Sequence, residues 1–360
     1  MTLAQPTAPP AGSGFHALRV AGVERLCDDA VAVTFAVPGE LAERYAFRPG
    51  QSVTLRRSVE GRDERRSYSI CAPAGGPLRI GVREVADGLF SRWLVHEVRP
   101  GDEVEVLPPS GTFTPGAAQG HQVLIAAGSG ITPVLSIAAT LLREGGSVTL
   151  IYGNRRSGTV MFADELADLK DRYPARFELV HVLSREPREV ELLSGRLDPA
   201  KLRILLPALV AVPEVAHWWL CGPYEMVTGA RAVLTDLGVG PERIHRELFY
   251  VEAAPPPLAR HEEAVADGPA CSAEITLDGR TSKVELPRDM PILDAAQRWR
   301  PDLPFACKGG VCGTCRAQVL AGEVDMRRNF ALEEHELAKG FVLTCQSYPV
   351  TEELRLTYDA

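Results

Sequence analysis

The sequence lacks three features that would place the protein in a special class. No apolar run reaches the roughly 18 residues that a membrane-spanning helix requires, so we expect no contact with a membrane. Residues 1–14 have neither the basic nor the apolar segment of a secretory signal, and they predict a disordered arm. With 39 basic against 47 acidic residues, the net charge of −8 argues against general nucleic-acid binding. This composition fits an enzyme, or a carrier that docks on a basic partner.

The length and the texture of the chain predict several domains. A chain of 360 residues is expected to form two or three domains, and no internal repeat is visible. Residues 15–115 contain short β segments separated by Pro and Gly, which indicates an antiparallel barrel. Residues 116–250 alternate strands with helices, which is typical of a parallel α/β sheet. Residues 251–268 are rich in Pro and charge and predict a linker, and residues 269–360 begin with a hairpin pattern around Asp278.

Four of the eight cysteines follow an informative spacing. The segment "CKGGVCGTC" places Cys307, Cys312 and Cys315 in nine residues, and Cys345 follows in "LTCQ". The pattern C-x4-C-x2-C with a distant fourth cysteine is the plant-type 2Fe-2S spacing, in which four thiolates hold two irons. Zinc is the alternative, but zinc sites usually show two C-x2-C pairs and only one occurs here. The spacing therefore predicts an iron–sulfur cluster.

Three other cysteines are expected to be buried core residues. Cys27, Cys71 and Cys271 fall in β-type segments without partners. Clustered cysteines in a chain without a secretory signal indicate the reducing cytoplasm, where they more often bind metal than form disulfides.

A glycine-containing turn follows the first strand of the α/β region. In "LIAAGSGITP", Gly128 and Gly130 would let backbone N–H groups face a pyrophosphate at the start of a helix. The full dinucleotide fingerprint is not present, and many ordinary strand-to-helix turns carry glycines. The turn alone leaves both interpretations open.

Two short segments of the barrel region could bind a flat, phosphorylated ligand. In "RRSYSI", Arg66 suits a phosphate, Tyr68 can stack on a ring and Ser69 can bond a ring nitrogen. In "DGLFS", Gly88 and Ser91 could hold a second phosphate. The alternatives are an ordinary edge strand and a simple helix cap.

The order of these motifs resembles the ferredoxin–NADP reductase superfamily. "RSYS", "GLFS", "GSGITP", "CGPYEM" and a late "ELF" occur in the family's order, and a plant-type ferredoxin module follows them. The resemblance covers residues 15–360. It implies a multidomain fold with an antiparallel β-barrel flavin domain, an α/β parallel-sheet nucleotide domain and an α+β β-grasp ferredoxin domain.

The resemblance implies a role for each matching residue. Those expected to bind FAD are Arg66, Tyr68, Ser69, Ile70, Gly88, Phe90, Ser91 and Phe249. Those expected to bind the nicotinamide nucleotide are Gly128, Ser129, Gly130, Thr132, Pro133, Cys221, Gly222 and Pro223. The catalytic residues, expected where the hydride passes to the flavin, are Ser69, Cys221 and Glu247.

The choice of coenzyme depends on positive charge beside the ribose. Arg155 and Arg156 follow one predicted strand, and Ser184 and Arg185 in "VLSRE" follow the next. Because a 2′-phosphate requires such charge, we favour NADPH over NADH. The alternative is that these arginines only form a solvated rim.

The resemblance also implies a partner. Single-chain reductases of this kind feed bacterial oxygenases, and overall similarity favours a di-iron enzyme that epoxidises the ring of phenylacetyl-CoA in phenylacetate catabolism. The first alternative is a reductase for a Rieske-type oxygenase such as a ketosteroid hydroxylase or a phthalate dioxygenase. The second is a redox sensor that binds flavin and cluster without turnover.

Overall fold

The computed structural model of the protein describes residues 14–59, 62–86, 88–116, 120–250 and 270–360. Apart from Gly14, the predicted arm lies outside the described residues, and so does the whole predicted linker. In the described ranges no helix is long and apolar enough to cross a membrane. The exact domain boundaries remain a prediction.

The first sheet is antiparallel and closes into a barrel. Its elements are β1 (His16–Cys27), β2 (Ala30–Ala36), β3 (Ser52–Val59), β4 (Arg62–Ser69), β5 (Leu78–Arg83), α1 (Leu89–His96) and β6 (Glu103–Val106). The strand order is β4-β3-β6-β1-β2-β5, and a bridge between Ile70 and Ile80 joins the two edges. Alternate side chains such as Leu18 and Val20 are buried, as a strand with one face in the core requires. The predicted antiparallel barrel is confirmed.

The second sheet is parallel and doubly wound. Its elements are β7 (His121–Ala127), α2 (Ile131–Arg143), β8 (Ser147–Asn154), α3 (Ala163–Arg172), β9 (Phe177–Leu183), α4 (Pro199–Leu209), β10 (Val215–Pro223), α5 (Tyr224–Asp236) and β11 (Ile244–Tyr250). The order is β11-β10-β7-β8-β9, with every neighbouring pair parallel. The first strand ends at the centre of the sheet, so the turn before α2 opens at the switch point where ligands bind in such folds.

The third sheet is mixed and belongs to the C-terminal region. Its elements are β12 (Ala270–Leu277), β13 (Arg280–Pro287), α6 (Ile292–Ala296), β14 (Arg316–Ala321), β15 (Val324–Met326), α7 (Glu334–Leu337), β16 (Phe341–Leu343), β17 (Ser347–Pro349) and β18 (Glu353–Thr357). The order is β13-β12-β18-β14-β16, and β15 pairs separately with β17. Asp278 and Gly279, both with positive φ, form the turn between β12 and β13, which confirms the predicted hairpin.

The first two domains share apolar packing, whereas the third has a core of its own. Cys71 and Phe113 of the barrel pack in one cluster with Ile131 and Trp219 of the parallel sheet. The buried cluster of the ferredoxin domain, from Cys271 to Leu356, contains no residue of the other two domains. The barrel and the parallel sheet therefore form one packed unit on which the ferredoxin domain rests.

The cysteines outside the cluster pattern differ in exposure. Cys71 and Cys271 are buried, as predicted. Cys27 is only partly buried: it packs against the apolar cluster that joins the barrel and the parallel sheet, and its thiol donates to Asp29 Oδ1 at 3.2 Å. It lies at the end of β1, where the chain turns into β2 and the core face ends.

Candidate functional site

Three of the predicted cluster ligands lie on one loop that contacts both other domains. The Thr314 Oγ1, between Cys312 and Cys315, is 3.1 Å from the Ser67 Oγ of β4. Val311 packs against the apolar residues on the α5 side of the parallel sheet. The loop is therefore held between the predicted flavin strand and the nucleotide domain.

The backbone of this loop surrounds the Cys307 sulfur with donors. The N–H groups of Gly309, Val311 and Cys312 lie 3.3, 3.4 and 3.4 Å from Cys307 Sγ. A hydrogen bond from the Cys312 thiol and these three N–H groups lower the pKa of the Cys307 thiol, against the effect of burial. Lys308, with φ of 49°, adopts the left-handed conformation that turns the chain around the sulfur. This cradle stabilises a thiolate.

The four cysteines stand as two pairs. Cys307 contacts Cys312, and Cys315 contacts Cys345, whose sulfur, together with burial, raises the pKa of the Cys315 thiol. Among the described residues, no three metal-binding side chains converge on one point. Two thiolates per iron is what a 2Fe-2S centre takes, whereas zinc takes four ligands at a single ion. The donor set therefore fits the cluster.

Two predicted flavin residues come together where β4 meets α1. The rings of Tyr68 and Phe90 are 6.1 Å apart, and Phe90 packs edge-on against Trp93 at 5.4 Å. Arg66 is exposed and pairs with Glu64 at 3.2 Å, so its guanidinium remains accessible to a phosphate. The adjacent Ile70 is buried in the barrel core.

The turn before α1 is tight, and its hydroxyl is already bonded. Ser91 Oγ accepts the N–H of Val85 at 3.1 Å and donates to the carbonyl of Gly88 at 3.2 Å. A Cβ on Gly88 would lie only 2.5 Å from Ser91 Oγ, so the turn requires glycine. Ser91 therefore braces the turn from within α1 and does not act as the helix cap, because the N-cap position is occupied by Gly88, which has no side chain.

The turn before α2 brings the two nucleotide motifs into contact. A Cβ on Gly130 would lie 2.3 Å from the carbonyl oxygen of Cys221, so only glycine lets the helix begin against the end of β10. Gly128 has φ of 57°. Thr132 is fully buried and donates to the carbonyl of Ser129 at 3.0 Å, which uses its hydroxyl inside the turn. The remaining motif residues flank this contact: Pro133 lies in the first turn of α2, and Gly222 and Pro223 end β10.

The three predicted catalytic residues converge from two domains. Ser69 Oγ of β4 donates to Glu247 Oε2 at 3.4 Å, and the Cys221 thiol is 4.0 Å from the same oxygen. Cys221 and Glu247 are paired neighbours in the β10–β11 ladder. Burial raises the pKa of Glu247 to about 8, with the Ser69 hydrogen bond opposing the shift. Phe249, on the same strand, packs against the apolar cluster that joins the two domains.

The predicted 2′-phosphate residues lie at adjacent strand ends. The N–H of Ser184 donates to the Asn154 carbonyl and that of Arg185 to the Arg155 carbonyl, at 2.9 and 2.8 Å. Arg155 and Arg185 are both exposed, but Arg155 is already paired with Asp29 of the barrel at 2.8 Å. Arg156, also exposed, comes next in the chain. Arg185 is thus better placed to meet a ligand charge than Arg155.

Comparisons with known proteins agree with this layout. A model described as an oxidoreductase FAD-binding domain matches residues 17–114, an oxidoreductase NAD-binding domain matches 124–232, and a 2Fe-2S iron-sulfur cluster binding domain matches 275–350. A subunit of the 1,2-phenylacetyl-CoA epoxidase from Escherichia coli (strain K12) is 43% identical over 353 residues, which cover 96% of this chain and 98% of the relative. The chain belongs to the ferredoxin–NADP reductase-like proteins with a ferredoxin domain. This reductase is a flavin and iron–sulfur oxidoreductase that carries FAD and a 2Fe-2S cluster and takes its electrons from NAD(P)H.

Other relatives share the full length of the reductase. The ferredoxin reductase component of 3-ketosteroid-9-alpha-monooxygenase from Rhodococcus rhodochrous is 34% identical over 97% of this chain and 98% of that protein. The solved structure of phthalate dioxygenase reductase superposes with a TM-score of 0.59 at 24% identity, covering 96% of this chain and 98% of that one. This second likeness shows a common fold.

Sequence reasoning missed the residues that hold the ferredoxin domain in place. Arg65 contacts Phe305, and Ser67 contacts Thr314, across the boundary between the domains. Arg65 and Ser67 lie in the segment "RRSYSI" and Thr314 lies in "CKGGVCGTC", but nothing in their spacing indicates a partner more than 200 residues away.

Proposed function

We propose that the reductase carries electrons from NADPH through FAD and the 2Fe-2S cluster to an oxygenase of phenylacetate degradation, a di-iron enzyme that epoxidises the ring of phenylacetyl-CoA. The observation that carries the electron path is the contact between the cluster loop and the flavin strand, with Thr314 Oγ1 at 3.1 Å from Ser67 Oγ. The choice of partner is supported by the 43% identity to a subunit of that epoxidase.

The side chains of the chain position and tune the reaction. When bound, FAD accepts a hydride and the cluster carries electrons one at a time. Arg66 and the turn at Gly88 are proposed to hold the flavin phosphates, with the Tyr68 ring beside the isoalloxazine. Ser69 and Cys221 line the place of hydride transfer. Glu247 keeps its proton near neutral pH and can donate a hydrogen bond there.

We propose Cys307, Cys312, Cys315 and Cys345 as the cluster ligands. Replacing Cys312 with Ser is expected to remove the iron and the visible absorbance of the cluster. NADPH-driven reduction of cytochrome c should be lost, while reduction of ferricyanide by the flavin persists. Cys271→Ala in the same domain is the matched control, because Cys271 is a buried residue of β12 and should leave the cluster in place. Full cytochrome c reduction by Cys312→Ser would refute the route through the cluster.

The partner is tested by reconstitution. The purified reductase is combined with NADPH and either the phenylacetyl-CoA epoxidase or a ketosteroid hydroxylase, and the product is measured per NADPH consumed. Coupled formation of the epoxide supports the proposal. Coupling only to the ketosteroid enzyme would favour the second candidate, a reductase of a ketosteroid hydroxylase. That candidate is supported by the 34% identity to a ketosteroid monooxygenase reductase. The cytoplasmic location remains a prediction.

A further inference from the structure

One buried arginine joins the flavin domain to the ferredoxin domain. Arg65 lies in β4, one residue before the predicted flavin phosphate ligand, and its side chain is only 5% exposed. Its Nη1 donates to the carbonyl of Leu303 in the ferredoxin domain at 3.4 Å. Its guanidinium lies 4.0 Å from the centre of the Phe305 ring. Both contacts cross from the barrel to the segment that leads into the cluster loop.

Residues of the barrel domain also hold the Arg65 guanidinium in place. Asp63 Oδ2 accepts from Arg65 Nε at 3.1 Å and from Nη2 at 2.7 Å. The ring of Phe15 lies 5.0 Å from the guanidinium carbon. A planar cation held between an ion pair and an aromatic ring loses little freedom when it binds a second ring, so it makes a strong and directional contact.

The far side of the contact is anchored to the cluster loop. The Lys308 ammonium lies 4.6 Å from the centre of the Phe305 ring, and it is held by Asp294 at 2.6 Å and Gln297 at 2.8 Å. Lys308 directly follows Cys307. The position of Phe305 is therefore coupled to the position of the loop that carries three cysteines.

The side chains of β4 alternate between two faces, which lets one strand carry predicted flavin residues and also contact the ferredoxin domain. Successive side chains of a strand point to opposite faces. Arg65, Ser67 and Ser69 share one face, and they contact Phe305, Thr314 and Glu247 in turn. Arg66 and Tyr68, two of the predicted flavin residues, share the other. The strand thus lies between these two side chains and the ferredoxin domain, while Ser69, a third predicted flavin residue, lies on the same face as Arg65.

We propose that Arg65 is a positioning residue for electron transfer: through Leu303 and Phe305 it holds the ferredoxin domain so that the cluster loop lies against the flavin strand. Its side chain contacts Asp63, Phe15, Leu303 and Phe305, none of which is proposed above to bind the flavin or the nucleotide. Its loss lowers the fraction of molecules in the docked arrangement and leaves hydride transfer intact. The inference rests on the electron path from flavin to cluster proposed above.

The test uses the full-length protein loaded with flavin and cluster. Arg65→Ala, Arg65→Lys and Phe305→Leu are mixed rapidly with NADPH, and flavin bleaching is recorded separately from cluster reduction. Arg56→Ala is the matched control. Arg56 is the cross-strand neighbour of Arg65 and contacts the same Phe15 ring at 4.1 Å. Its ion pair, however, is with Glu105 of β6, within the same domain.

In Arg65→Ala and in Phe305→Leu, cluster reduction is expected to slow by about tenfold, the value of one desolvated cation–ring contact. Flavin bleaching and the reduction potentials of both centres should stay at wild-type values. Arg65→Lys should recover part of the loss. In the Arg65→Ala/Phe305→Leu double variant the two effects should not add, because both remove one contact.

Hydrogen exchange supplies a readout that does not depend on turnover. Residues 303–314 should exchange faster in Arg65→Ala than in Arg56→Ala. Wild-type exchange and wild-type cluster reduction in Arg65→Ala would overturn the inference, as would an equal defect in Arg56→Ala or a parallel loss of flavin bleaching. If exchange rises while the wild-type cluster itself accepts no electrons from NADPH, the docking role stands and the proposed electron path fails.

Discussion

Glu247 shows how position decides the protonation of one side chain. It lies where β11 passes the end of β4, and burial raises its pKa to about 8 from an ordinary value of 4.5. Ser69 Oγ at 3.4 Å donates its hydrogen bond to the carboxyl oxygen. The family resemblance places both residues at the expected site of hydride transfer, but no sequence pattern gives the degree of burial that sets the pKa.

This raised pKa predicts a pH-dependent loss of stability. Between about pH 4.5 and pH 8 the unfolded chain has released the Glu247 proton while the folded protein retains it, so the free energy of unfolding falls as the pH rises. In Glu247→Gln this contribution is absent. Urea unfolding at about pH 5 and about pH 8 should show a smaller fall for Glu247→Gln than for the wild type. Parallel pH dependence in the two proteins would contradict the prediction.

We propose that coenzyme choice is a second property that single residues set. Arg185 is exposed at the end of β9, whereas Arg155 is paired with Asp29. We expect Arg185→Ala to lower kcat/KM for NADPH about tenfold, as loss of one charged contact would, and to leave that for NADH unchanged. Arg203→Ala, which breaks an ion pair between α4 and Asp236 of α5, is the control. Equal losses with both coenzymes would show that Arg185 does not meet the 2′-phosphate.

At the scale of elements, the alternation of strands and helices in the second domain could be predicted because each element is long and periodic. The short elements could not. α7 has four residues, and β15 and β17 have three each. Pieces of this length carry no period, and their pairing depends on residues far apart in the chain. The cluster loop between α6 and β14 was nevertheless predicted, because the chemistry of the cluster fixes the spacing of the three ligands that this loop carries.

The start of α2 is the element boundary on which the proposed nucleotide site depends. Replacing Gly130 with Ala would bring a Cβ to within 2.3 Å of the Cys221 carbonyl oxygen. We expect a loss of about 1–3 kcal/mol in the free energy of unfolding and a higher KM for NAD(P)H, because helix and strand must separate.

Gly158→Ala is the control for this prediction. A Cβ at Gly158 would have no atom within 4 Å, so it should leave both quantities near wild type. Thermal unfolding measures the stability, and steady-state ferricyanide reduction measures the KM for NAD(P)H. If Gly130→Ala matched Gly158→Ala, the close approach of α2 and β10 would not matter for binding.

For the whole molecule, the arrangement of the ferredoxin domain is what sequence reasoning could not reach. The contacts of Thr314 with Ser67, Glu334 with Arg231 and Phe330 with Tyr224 join residues at least 103 positions apart. They are single side-chain contacts, and no periodic pattern points to them. The three folds were predictable from local patterns and from the family resemblance, while their docking was not.

The docked arrangement has a consequence for delivery to a protein acceptor. The cluster loop is covered on one side by β4 and on another by the nucleotide domain, through Ser67 and the residues around Val311. An acceptor that approaches this loop from either of these two sides must displace them. Linking the domains in Ser67→Cys/Thr314→Cys, whose hydroxyl oxygens are now 3.1 Å apart, should preserve cluster reduction by NADPH and suppress cytochrome c reduction.

The disulfide is the variable in that experiment, so each single cysteine variant serves as a control. Treatment with a reductant, removed before the assay, should restore cytochrome c reduction in the double variant. Undiminished cytochrome c reduction by the fully cross-linked protein would show that acceptors reach the cluster without separation of the domains.

The separate core of the ferredoxin domain has a further consequence, for assembly. Its sheet shares no strand with the other two among the described residues, and its apolar cluster from Cys271 to Leu356 is complete without them. Folding of the flavin and nucleotide domains therefore does not wait for iron. We expect that a chain made under iron limitation still folds its first two thirds and binds flavin, and that the cluster is inserted later into a domain that is already attached to its electron source.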